Sequence, residues 1–205
     1  MQTGDLNVLG DLCAGGYQLI YDSGQLAASA SQVNISGLNG NVDREYMLVC
    51  NHISGVNTSQ NLLLSPNGHL AAAYGYQNMS GTDAITGAGR NATLTGLIIG
   101  ANNYINEVGF SKTTLKAKSG TVRTAITSLA WGITSTSVTS VSLWGSAWID
   151  TSANITSLQI NPDQAGGIGS KSHIMLFRRT PSGSDSDATG SRQAIWMCRE
   201  ILLRM

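Results

Sequence analysis

Val138-Thr139-Ser140-Val141-Ser142-Leu143-Trp144-Gly145-Ser146-Ala147-Trp148-Ile149 is the stretch on which the fold turns. Side chains two apart lie on one face of a strand. Val141, Leu143, Ala147 and Ile149 share one parity, and Trp144 and Trp148 share the other. A helix would scatter these groups around its axis. A strand gives each parity its own surface, so the reading is β.

The same chemistry recurs along the chain. Residues 45–53 are nearly all apolar, with Tyr46, Leu48 and Cys50 on one parity and Met47, Val49 and Ile53 on the other. That pattern predicts a strand covered on both faces. Further strands are expected over 17–21, 31–35, 62–64, 69–76, 93–100, 108–118, 121–133, 155–160 and 172–177. Ser65-Pro66-Asn67-Gly68 is a turn, because proline presets φ and Asn-Gly accepts positive φ. Residues 78–91, rich in Gly, Ser, Thr and Asn, are expected to be an exposed loop, and 161–169 a second one. Short strands at this spacing predict an all-β, jelly-roll-like antiparallel β-sandwich with extended N- and C-terminal arms.

Composition fits that class. Charged residues are only 12% of the 205-residue chain, and twelve basic residues balance twelve acidic ones. With no basic excess to displace counterions, nucleic acid is not an expected partner. No apolar run approaches the roughly 20 residues of a membrane helix, so no membrane partner is expected either. Cys13, Cys50 and Cys198 are an odd number, widely spaced, and read as reduced thiols rather than a disulfide framework. The first residues show no basic-then-apolar leader pattern, so a chain made in a cytoplasm is expected.

Chemical motifs are sparse. Residues 165–172, Ala-Gly-Gly-Ile-Gly-Ser-Lys-Ser, look like a phosphate loop. However, Ala165 and Ser170 stand where glycines are needed to wrap phosphate. His52, His69 and His173 have no ligand-type spacing, and no Gly-x-Ser-x-Gly elbow occurs. The glutamates are Glu45, Glu107 and Glu200, none in a telling neighbourhood. The expectation is no enzyme, no cofactor and no metal. Trp131, Trp144, Trp148 and Trp196 read as core or interface anchors, or else as stacking platforms for a glycan.

The domain plan is an arm over 1–16, a sandwich over 17–179, and a linker with a docking tail over 180–205. The tail carries Ile195, Trp196, Met197, Ile201, Leu202 and Leu203, which are the candidate subunit-interface residues. An apolar segment behind a Ser/Gly linker needs a surface to cover it.

Residues 155–160, Ile-Thr-Ser-Leu-Gln-Ile, close a strand ahead of a Gly-rich turn. Gly169-Ser170 then leads into Ile174-Met175-Leu176-Phe177-Arg178, with Trp148 upstream. This arrangement resembles the small jelly-roll-like structural proteins of tailed phages, of the capsid cement, decoration or fibre type. The likeness runs over about 140–179 and more loosely back to residue 17. It implies a homotrimeric virion protein on the capsid surface, assembled in the host cytoplasm, that bridges neighbouring major capsid proteins. A tail or head fibre module that binds host surface glycans through loops 78–91 and 161–169 is the alternative it leaves open.

Overall fold

The computed structural model describes residues 16–82, 85–133 and 137–179. Its strands are β1 Tyr17–Gln25, β2 Val33–Ser36, β3 Glu45–Ile53, β4 Gln60–Pro66, β5 Tyr74–Thr82, β6 Ile85–Leu94, β7 Leu97–Asn102, β8 Val108–Lys116, β9 Arg123–Ile133, β10 Val138–Trp148, β11 Ser157–Pro162 and β12 His173–Arg179. They form an eight-stranded sheet, β1-β12-β3-β8-β9-β10-β5-β6, and a four-stranded sheet, β2-β11-β4-β7. Every pairing is antiparallel. The chain crosses repeatedly between the two sheets, so the all-β, jelly-roll-like sandwich is what folds. Among the described residues no helix is long and apolar enough to cross a membrane.

The core lies between the sheets. Tyr46, Leu48 and Cys50 of β3, with Ile174 and Leu176 of β12, meet Leu62 and Leu64 of β4, Leu97 and Ile99 of β7, and Leu158 and Ile160 of β11. Trp148 closes one end and is 1% exposed. The Asn67-Gly68 turn forms as its sequence predicts, with both residues at positive φ and Gly68 N–H donating to the Ser65 carbonyl.

Four expectations change. The strand placed at 93–100 is split, with Thr93 and Leu94 ending β6 in the large sheet and Leu97 opening β7 in the small one. The strand placed at 69–76 begins at Tyr74, because 69–73 carry the chain from the small sheet to the large one. The loop placed at 78–91 is instead most of the β5–β6 hairpin, with Met79 opposite Ala88 and Gly81 opposite Thr86. Strand β6 is exposed along almost its whole length, so neither face demands the apolar alternation that marks a half-buried strand. Finally, β3 is covered on one face among the described residues. Met47, Val49 and Ile53 are only half-buried.

The loop after β11 is pinned by backbone. A Cβ built on Gly55 would sit 2.1 Å from the Gly166 carbonyl oxygen, and Gly55 N–H donates to Gly167. Gly55→Ala is therefore expected to cost about 1–3 kcal/mol, as forced overpacking does. Urea unfolding checks it, and a midpoint equal to wild type would show that the loop yields freely.

Candidate functional site

Six backbone donors of the phosphate-loop-like segment are already spent within the chain. Gly166 N–H donates to Ser31 Oγ, Gly167 to Gln164, Ile168 to Ala30, Gly169 to Ile53, Lys171 to Leu26 and Ser172 to Gly169. A phosphate cradle needs those groups free and convergent. Here they tie the loop to three other parts of the chain, which is a structural role.

The titratable groups singled out in the sequence lie in separate places. His52 is buried between the sheets against Gly100 and Gly109, with Nε2 3.4 Å from the Ala101 carbonyl. His69 accepts the Trp148 indole N–H at 3.3 Å. His173 Nε2 meets Asp22 Oδ1 at 2.6 Å on the sheet edge. Gly24 N–H, and then His173, hold the Asp22 carboxyl below its ordinary range. Ser23 beside that pair spends its hydroxyl on the Gly24 carbonyl and accepts from Ile174 N–H. Glu45 is gripped by Lys116 and Tyr17: burial opposes its ionisation, but those hydrogen bonds outweigh burial and lower its pKa. Glu107 caps the turn at 103–107 by accepting from Asn103 and Tyr104 N–H. Cys50 is free and fully buried, its thiol pushed up to about 12 by desolvation. Among the described residues no three His, Cys, Asp or Glu side chains gather as a metal would require. Glu200, Cys13, Cys198, Trp196 and the candidate interface residues Ile195, Met197, Ile201, Leu202 and Leu203 lie outside the described residues.

Burial lowers the His52 pKa to about 4, so the folded state keeps a neutral ring where the unfolded chain titrates near 6.5. Stability is then full above about pH 6.5 and falls as acid protonates the unfolded chain, down to the folded pKa. A loss of about 2 kcal/mol from this residue is expected between pH 7 and pH 5. Urea midpoints across that range check it, and His52→Gln should flatten the curve.

The distinctive surface is the outer face of the large sheet. The antiparallel registers lay its side chains out in rows. One runs Leu19, Phe177, Met47, Thr114, Ile126, Gly145; the next runs Met175, Val49, Lys112, Ser128, Leu143, Met79, Ala88; a third holds Phe110, Ala130, Val141 and Gly81. Relative exposure runs from 43% at Leu143 to 61% at Met79, with Leu19, Phe110, Ile126 and Val141 between.

The inner face of the same strands carries hydroxyls. Ser111, Thr113, Thr127, Ser140, Ser142 and Ser146 are buried. Thr113 pairs with Thr127 at 2.8 Å, and Thr127 donates to the Ile98 carbonyl at 3.1 Å. On β8, β9 and β10 these hydroxyls share the inner face with Leu115, Leu129 and Trp148, while Phe110, Ile126, Val141 and Leu143 stand exposed on the outer face among Lys112, Thr114 and Ser128. Where β5 and β6 adjoin, the face forms a groove of about 990 Å³, lined by Met79, Ala88, Phe110, Val141 and Leu143, with Lys112.

No family model and no curated protein matches the sequence. Among solved structures, the chain is similar to the galectin LEC-6 of Caenorhabditis elegans, at 11% identity and TM-score 0.33 over 79% of this chain and 99% of that one. It is similar to the CBM40 of the Ruminococcus gnavus IT-sialidase, at 12% and 0.31 over 82% and 95%. It is similar also to the tripod of the bacteriophage Tuc2009 baseplate, at 9% and 0.23 over 80% and 63%. At these values the likenesses carry no functional argument, and the fold is read from the sheets themselves.

Trp144 and Trp148 share the inner face, as the parity of β10 predicts. Trp148 is in the core, stacked near Tyr74 at 6.2 Å between centroids. Trp144 lies half-buried on the inner face against Tyr76. Trp131 is half-buried too. The exposed aromatic on the open face is Phe110. Sequence reading had the two parities of β10 and β3 right. It missed that one of them is bare, although the apolar residues on both parities of β3 were the signal.

Proposed function

We propose that this chain is a non-enzymatic structural subunit of a phage-type particle, a capsid cement or decoration protein. Its open sheet face is covered by neighbouring protein in the assembled state. The observation that carries the reading is the outer face of β8, β9 and β10, where Phe110, Ile126, Val141 and Leu143 stand exposed together. Exposed apolar patches of this extent on a stable fold mark sites of association. Each half-exposed side chain that leaves water there contributes on the order of 1 kcal/mol before association costs.

The lining favours protein over glycan. Sugar sites need polar groups converging beside an aromatic plane, whereas Phe110 has Ala130 beside it and opens onto a groove walled largely by Met79, Ala88, Val141 and Leu143. The low charge of the chain and its closing-strand resemblance to phage structural proteins add the particle context. The partners on this reading are the major capsid protein and further copies of the chain, as a homotrimer.

The test mixes purified full-length protein with shells that lack it. Saturable co-sedimentation and a higher temperature of shell disruption are expected. Shells that neither retain the protein nor gain heat resistance would remove the cement reading.

A further inference from the structure

The groove at the β5–β6 end of the open face needs a cover in the free subunit, and the chain contains a segment suited to supply one. We propose that residues 193–203 of the same chain lie in this groove before assembly, shielding it until a partner takes their place. The inference rests on the reading of the open face as an assembly surface, and it adds how that face is kept from premature association.

Reach supports the intramolecular assignment. Arg179 ends β12, and the groove strand β10 is four strand positions away in the sheet order. At a spacing of about 4.8 Å that is roughly 19 Å across the sheet. The row of Glu45 and Lys116 near Arg179 lies four residues along β8 from Lys112, or about 13 Å. Residues 180–192 number thirteen. Fully extended they reach about 43 Å, and a Ser/Gly-rich chain of that length spans about 20 Å on average. The span and the mean length match, which is the condition for the highest effective concentration of a tethered segment.

Chemistry supports the choice of segment. Ile195, Trp196, Met197, Ile201, Leu202 and Leu203 bring aliphatic and aromatic surface to an aliphatic groove. Glu200 brings a carboxylate to a groove whose charged wall residue, Lys112, pairs with no carboxylate among the described residues.

Cys198 sits within the segment and makes the proposal directly testable. The full-length Val141→Cys protein is treated with a mild oxidant, without particles, and its disulfides are mapped by peptide mass spectrometry. The expected product is a 141–198 disulfide within one chain, in at least about tenfold the yield of the 36–198 product from a Ser36→Cys control, because Ser36 lies beside Arg178 where the tether begins and only docking in the groove would favour the more distant residue 141. A mixture of isotopically light and heavy protein separates the occupants. A 141–198 product joining light to heavy chains would mean that a second copy fills the groove and would overturn the intramolecular assignment. Equal yields from the two cysteine variants, or no product containing residue 198, would overturn it too. None of these outcomes depends on shell binding, so the proposal can fail while the cement reading stands.

Discussion

Arg123→Ala is expected to lower stability by about 2–4 kcal/mol, because it strips donors from two carbonyls and a face from the largest core ring. The Arg123 side chain is fully buried, and its guanidinium donates to the carbonyls of Asp150 and Ala153. It also lies over Trp148, 5.1 Å from the ring centroid. The two residues are direct cross-strand partners on β9 and β10, so the sheet register itself sets the contact. Asp150 Oδ1 stands 3.5 Å from the guanidinium but is partly exposed. Its carboxyl is held low chiefly by the N–H groups of Ala153 and Ser152, with Arg123 the least of the causes. The loss should therefore come from the carbonyls and the ring, not from the ion pair. Asp150→Asn should consequently cost much less than Arg123→Ala. Arg123→Lys should rescue only part, since an ammonium cannot fork to two fixed carbonyls as a planar guanidinium does. Urea unfolding measures all three. For a chain of this size the alanine variant should also melt roughly 5–15 °C lower. A loss below about 1 kcal/mol would show that water replaces the guanidinium without penalty.

That contact shows where sequence reading stops. The parity of β10 separates Trp144 and Trp148 from Val141 and Leu143, and the structure keeps the separation. Parity alone cannot say which set meets the core, because both sets are apolar. The answer depends on where the small sheet lies, and that is fixed by pairings such as β11 with β4, nearly 100 residues apart in the chain. The same limit explains β3. Its two apolar parities suggested cover on both sides, whereas one of them belongs to a face left open among the described residues. The β5–β6 hairpin was unreadable for the opposite reason. Along β6 most side chains are small or polar and nearly all are exposed, and the order of the hairpin comes from backbone pairing through β5 to β10, which leaves no trace in hydropathy. Turn chemistry was the most legible layer, since Asn67 and Gly68 need only their own φ to be understood.

Ile126→Lys is expected to weaken shell binding by about 30-fold or more while leaving the fold within about 1 kcal/mol of wild type. Ile126 is 53% exposed, near the middle of the open face, between Thr114 on β8 and Gly145 on β10. Its Cδ1 atom lies 3.8 Å from where a Gly145 Cβ would be, so it covers bare backbone and stands proud of the sheet. A lysine there can extend its stem along the same surface and keep its ammonium in water while the subunit is free. Once a partner closes over the face, that charge must lose its water without a carboxylate nearby, which is the costly event in an interface. The free subunit should tolerate the change and the complex should not. Ile126 is not among the groove-lining residues, so its effect reports on partner docking and not on the cover proposed for the groove. Paired measurements decide the matter: urea unfolding of the isolated protein, and co-sedimentation with shells across a range of concentrations. A lysine variant that binds shells as wild type does would place the contact elsewhere on the molecule, and the open face would then have no part in assembly.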